Sequence, residues 1–154
     1  MNIDIRQVIV LPTLLHWRKE IIAQIYGVTP SKALLIAART YYEKHIADGS
    51  HIAIIAEADG SDAGFGAISI VDELPTPDNP SGKLACLTDI YVREEYRRRG
   101  IAHTIVRWLV DKATQLGCGC IYLTTTTGAR PLFAEIGFKG LCSTMQLKLK
   151  AHTS

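Results

Sequence analysis

Tyr91-Val-Arg-Glu-Glu-Tyr-Arg-Arg-Arg-Gly-Ile-Ala102 is the stretch whose reading decides the fold. It follows a β-branched, strand-like run at residues 84–92 and opens a helix-like period through Ile101, Ile105, Trp108, Leu109 and Ala113, which Gly117 stops. Three arginines and a glycine therefore stand where a helix begins. The first N–H groups of a helix have no internal partner and carry the positive end of its dipole. A glycine there lets an anion approach the backbone, and guanidinium groups add charge and paired donors. The segment reads as a site for a phosphate or pyrophosphate. Without the flanking strand and helix the same residues would read as a solvated basic turn or a short nucleic-acid patch.

Working outward, residues 2–11 read as a first strand that stops at Pro12, after which Thr13 caps a helix closed by Gly27. The periodicity leaves Trp17 and Arg18 as alternatives for the buried face of that helix. Thr29-Pro30 reads as a second helix start, with the helix ending at Gly49. Residues 51–58 and 64–71 are two strands separated by the turn signal Asp59-Gly60. Residues 72–83 hold Pro75, Pro77, Pro80, Asn79 and Gly82, and read as a loop. Residues 120–125 are a strand, 129–136 a short helix closed by Gly137, and the alternation across 141–150 a half-buried final strand. The expected fold class is α/β, a single mixed central sheet flanked by helices in the order β-α-α-β-β-β-α-β-α-β, as one domain over 1–154.

Composition narrows the function classes. The 154 residues are 47% hydrophobic and 21% charged, which suits one globular domain and excludes wholesale disorder. A net charge of +2 does not by itself imply nucleic acid. The longest uncharged stretch, residues 113–129, contains three glycines, a glutamine and five threonines and will not span a bilayer. The N-terminus places an acid before its first base and offers no small-residue cleavage site, so a cytoplasmic location is expected. Four cysteines are too few for a disulfide scaffold, and Cys118-Gly-Cys120 lacks a second ligand pair at zinc spacing, so no metal is expected.

The pattern is neither a nucleoside-triphosphate P-loop nor a dinucleotide fingerprint, since neither glycine spacing occurs. Arg97-Arg98-Arg99-Gly100-Ile101-Ala102, after a strand ending at Val92, resembles the acetyl-CoA loop of the GNAT acetyltransferases, Gln/Arg-x-x-Gly-x-Gly/Ala. Residues 129–138, which include Leu132-Phe133-Ala-Glu-Ile-Gly-Phe138, resemble that family's second hallmark, Leu-Tyr-x-x-x-Gly-Phe. The resemblance implies that backbone N–H groups from Arg98 to His103 hold the CoA pyrophosphate, with Arg97, Arg98 and Arg99 adding charge. It implies that the backbone of Ile90, Tyr91 and Val92 pairs with the pantetheine arm, and that the strands 84–92 and 120–125 splay around the thioester. An acceptor amine would then attack the acetyl carbonyl directly, with a backbone N–H near Val92 polarising it.

Phe133 departs from the family pattern. It stands where the family often carries a tyrosine that protonates the leaving thiolate, and it is expected instead to pack against the pantetheine or acyl group. Tyr91, Tyr122 or water would then serve as acid. Asp89 is the one acid on its strand and the candidate base, or else a residue that caps a turn or orients the acceptor. Asp72 and Glu73 beside the proline-rich loop, and more weakly Glu57, are alternatives for binding a cationic amine. Trp17, Tyr41 and Tyr42 are candidates for an acceptor pocket or for the core. His16, His45 and His51 carry no assignment. The expected activity is transfer of an acetyl group from acetyl-CoA to a small-molecule primary amine, with no nucleic-acid or membrane partner and a homodimer possible. A module that binds acyl-CoA without turnover, and acetylation of protein or peptide amines, are the other readings.

Overall fold

Residues 51–72 lay down the centre of the sheet. His51–Ala58 (β2) is buried along almost its whole length. Asp59 and Gly60 then turn the chain back, both left-handed (φ 50° and 85°), which is the two-residue hairpin geometry that matches strand twist. Ser61–Asp72 (β3) returns antiparallel, and Lys83–Val92 (β4) runs antiparallel to β3, with Asp72 opposite Lys83 and Gly64 opposite Val92. Ile3–Val8 (β1) pairs antiparallel on the outer edge of β2, and Cys120–Tyr122 (β5) pairs parallel with β4. The sheet order is β1-β2-β3-β4-β5. This computed structural model describes residues 1–150. It resolves into two compact units, Met1–Thr124 and the chain from Thr125 onward.

In the first unit, Leu11–Tyr26 (α1) and Lys32–Ala47 (α2) precede β2. The first strand ends at Val8 rather than at Leu11, and Thr13 is not a cap. Pro12 lies inside the first turn of α1, where its fixed φ and missing N–H cost nothing. In α2 the cap is Ser31, whose Oγ accepts the Leu34 N–H at 3.1 Å; Thr29 and Pro30 stay outside the helix. One core lies where Leu14, Trp17 and Ile21 of α1 and Tyr42 of α2 meet the sheet. Trp17 stacks on Phe65 at 5.6 Å and meets Tyr91 edge-on at 6.4 Å.

Ile101–Gln115 (α3) buries Ile101, Ile105, Val106, Leu109 and Ala113. It lies close to β3 because β3 carries glycines there. A Cβ on Gly64 would stand 2.9 Å from the Tyr91 carbonyl oxygen and 3.1 Å from Ile105 Cδ1. The proline-rich loop is held by Asn79, whose buried amide donates to Glu73 Oε1 (2.9 Å) and to the Lys83 carbonyl (3.1 Å).

In the second unit, a single 3-10 turn leads into Arg130–Ile136 (α4), which Gly137 closes at φ 120°. Phe133 is buried and meets Phe138 edge-on at 5.8 Å. The strand expected over 120–125 ends at Tyr122, and the strand expected over 141–150 does not form. Met145, Leu147 and Leu149 are 95%, 84% and 84% exposed. Alternation marks which side chains a strand could bury, but a strand also needs an edge to pair with, and none is engaged there among the described residues.

Candidate active site

The site grows from an irregularity in β4. Thr88 pairs with Ala67 and Tyr91 with Phe65, so Asp89 and Ile90 together oppose Gly66. This β-bulge holds Asp89 in a left-handed conformation, φ 58°, a strained state for a residue with a Cβ. Bulges re-aim side chains, and here Asp89 meets Arg18 of α1, Nη1 donating to Oδ1 at 2.7 Å. Both side chains are mostly buried, 24% and 17% exposed.

Two further groups line this face. Burial, and next the nearby Asp89 charge, push the Tyr42 phenol up to about 12, so it stays protonated. Burial pushes His51 down to about 4 against the pull of Asp89, so its imidazole is neutral. The Tyr41 hydroxyl lies 2.9 Å and Ser69 Oγ 3.1 Å from His51 Nδ1, while its Nε2 is buried without a partner among the described residues.

Tyr91, on the same strand, has its phenol raised by burial and then by its hydrogen bond with Glu20. Glu20 is in turn held below the usual carboxylate range, chiefly by Arg93. That pair is closed: Arg93 Nε and Nη2 each donate to one Glu20 oxygen at 3.0 Å, and Nη1 donates to the Asp62 carbonyl at 3.0 Å. The Arg93 guanidinium also covers Trp17 at 4.3 Å.

The parallel ladder between β4 and β5 stops at Cys86–Tyr122. From Leu87 to Val92, including Ile90 and Tyr91, that edge of β4 pairs with no strand among the described residues. The basic loop follows directly. After a 3-10 turn over Glu94–Tyr96, Arg97 Nε donates to the Val92 carbonyl at 2.9 Å. Arg98 and Gly100 are both left-handed (φ 65° and 79°). Left-handed residues in such a turn gather successive N–H groups toward one concavity. Gly100 is the N-cap of α3 and supplies no side-chain cap, so the N–H groups of Ile101, Ala102 and His103 have no helical carbonyl behind them. A Cβ on Gly100 would meet nothing within 4 Å, so the cradle is open. Arg98 and Arg99 make no ion pair among the described residues; the Arg99 guanidinium rests 5.8 Å from the Tyr96 ring.

The chain matches a family model described as the acetyltransferase (GNAT) family over residues 18–138. It belongs to the GNAT family. A predicted acetyltransferase from Clostridium acetobutylicum, crystallised with acetyl-CoA, superposes with a TM-score of 0.84 at 23% identity, over 96% of each chain. A GCN5-related N-acetyltransferase from Ralstonia eutropha gives 0.76 at 20% identity, over 96% of this chain and 99% of that one. Glucosamine-6-phosphate N-acetyltransferase from Arabidopsis thaliana gives 0.70 at 17% identity, over 97% and 100%. No curated protein sequence matches the chain. A concavity of this kind can hold an anion the size of a pyrophosphate. The open glycine cradle, the free first-turn N–H groups and the two unpaired arginines suit it.

The first unit brings Asp89, Ile90, Tyr91, Val92 and the residues from Arg97 to His103 together at one end of β4. Phe133 belongs to the second unit. Asp72 and Glu73 lie at the opposite end of the β3–β4 hairpin, six registers or more from Gly66, so they do not join Asp89. Glu57 is engaged by Arg6. Trp17 is core. Sequence reasoning missed Arg18, Glu20, Arg93 and His51. The one signal for Arg18 was its place four residues after Leu14, on the buried side of α1.

Proposed function

We propose that the protein is an acetyl-CoA-dependent N-acetyltransferase that acylates a primary amine of a small molecule by direct attack in a ternary complex. One observation carries this reading: the unpaired edge of β4 at 87–92 runs straight into an open, basic glycine loop at a helix start. Acetyl-CoA would supply the activated acyl group. The loop N–H groups, with Arg98 and Arg99, bind its pyrophosphate, and the Ile90–Val92 backbone lines the pantetheine arm. Asp89, held by Arg18, receives the acceptor's ammonium and takes its proton as the nitrogen becomes nucleophilic. The Tyr91 hydroxyl, kept protonated by burial and by Glu20, would protonate the leaving thiolate. Four free thiols agree with a cytoplasmic location.

A second reading, an acyl-CoA-binding module without turnover, is favoured by Phe133, which has no proton to give. The two are separated by following CoA release chromatographically across a panel of small amines and lysine peptides, with product mass as a check. Turnover with a small amine supports the enzyme. Tight acetyl-CoA binding with no acetylated product from any amine would overturn it in favour of the binding module.

A further inference from the structure

The two ion pairs on the α1 face of the sheet differ in a way that bears on the acceptor. Arg93 and Glu20 satisfy each other with two bonds, and the third Arg93 nitrogen is spent on a backbone carbonyl. Arg18 and Asp89 share one bond only. Among the described residues, Arg18 Nε and Nη2 donate to nothing and Asp89 Oδ2 accepts nothing. His51 Nε2 is the sole fully buried side-chain nitrogen or oxygen without a partner there, so these open valences reach solvent. A part-buried guanidinium and carboxylate, each with spare bonding capacity, stand side by side.

An apolar cavity of about 180 Å³ is lined by Ile9, Leu11 and Leu14 around the start of α1 and by Tyr42, Glu43 and Ile46 of α2. Tyr42 joins the two features: its ring lines the cavity, and its phenol feels both Asp89 and Arg18. Leu14 lies one helical turn before Arg18 on α1. Asp89 apart, the acidic side chains of α1 and α2 are engaged, Glu20 by Arg93 and Glu43 by Arg39, which leaves no second carboxylate there for a polycation.

We infer that the acceptor is a small zwitterion of the amino-acid class with an aliphatic side chain: its ammonium on Asp89, its carboxylate on Arg18, and its side chain in the Ile9–Leu11–Leu14–Tyr42–Ile46 cavity. The inference rests on the acetyl-transfer reading above. Acetylation breaks the thioester C–S bond and forms an amide C–N bond. Of the two protons the nitrogen loses, one passes to Asp89 before attack, and the other, lost as the amide forms, balances the proton the thiolate takes up to become CoA thiol.

The test compares kcat/KM for four amines with acetyl-CoA saturating: L-leucine, L-leucinamide, 3-methylbutylamine and spermidine. Leucine should lead leucinamide and 3-methylbutylamine by about 10- to 100-fold, the range of one charge-assisted contact. Arg18→Met should bring leucine down to the level of leucinamide, chiefly through KM, and Arg18→Lys should restore part of the difference. Preference for spermidine or for the amide would overturn the inference while leaving an acetyltransferase. No release of CoA with any of the four or with any other amine tried would overturn both readings together, whereas release with some other amine alone would overturn this inference and leave an acetyltransferase. An Arg18→Met protein that folds by circular dichroism yet keeps the leucine preference would also overturn the inference. If that variant fails to fold, the wild-type ratio of leucine to leucinamide decides alone.

Discussion

His51 shows how much one side chain can hold in this site. Its ring is 5% exposed, two hydroxyls crowd Nδ1, and Nε2 has no partner among the described residues. Burial depresses its folded pKa to about 4 from an ordinary 6.5, so the unfolded chain binds the extra proton first as pH falls. Stability is therefore complete above about pH 6.5 and falls by about 3 kcal/mol as pH drops toward 4. Urea unfolding at pH 7, 6, 5 and 4 should show this slope, and His51→Gln should flatten it; an unchanged slope in that variant would assign it to other groups. At this scale the sequence was half legible. Asp89 stood out as the one acid on its strand, and the arginine–glycine loop stood out by position. Arg18 and His51 did not, because helical spacing left Trp17 and Arg18 equivalent and because a histidine's partners come from α2 and β3, far along the chain.

The elements carry the site through two features, the bulge in β4 and the glycines of β3. A Cβ at Gly66 would lie 3.0 Å from Ile90 Cδ1 and 3.1 Å from Leu109 Cδ1, and would run into Ile105. Gly66→Ala should thus cost about 1–3 kcal/mol by overpacking. Because Gly66 opposes the bulge, it should also lower acetyl transfer by more than the lost stability explains. Chemical denaturation alongside initial rates would check both, and an alanine variant as stable as the parent would show that α3 has room to shift. Strands and helices with strong period and clear turns, such as β2, the Asp59-Gly60 hairpin and α3, were legible from the chain alone. Helix starts were not: Pro12 and Ser31 show that a proline or hydroxyl near a boundary can serve on either side of it. The 141–150 strand failed because alternation describes a face and not a partner. The bulge was invisible, since Thr88, Asp89 and Ile90 carry no glycine to announce a left-handed residue.

For the whole molecule, polarity along the sheet matters most. One end of the β3–β4 hairpin is closed by the Asn79-centred loop, and the other carries the bulge, the unpaired edge of β4 and the basic loop. No helix among the described residues is long and apolar enough to cross a membrane. No group of three or more histidine, cysteine or acidic side chains gathers there to hold a metal. The α/β class and its GNAT identity were legible because two motifs and an element order agreed. The proposed acceptor face was not, because it joins Asp89 of β4 to side chains of α1 and α2, where the resemblance offered only element order. All of the proposed chemistry turns on acetyl-CoA lying against the 98–103 loop, and titration calorimetry of acetyl-CoA into the wild-type protein and Arg98→Glu measures that directly. Saturable one-to-one binding should weaken by about tenfold or more in the variant, through a reversed charge beside the pyrophosphate. Equal affinity in the two proteins would contradict the assignment of the loop.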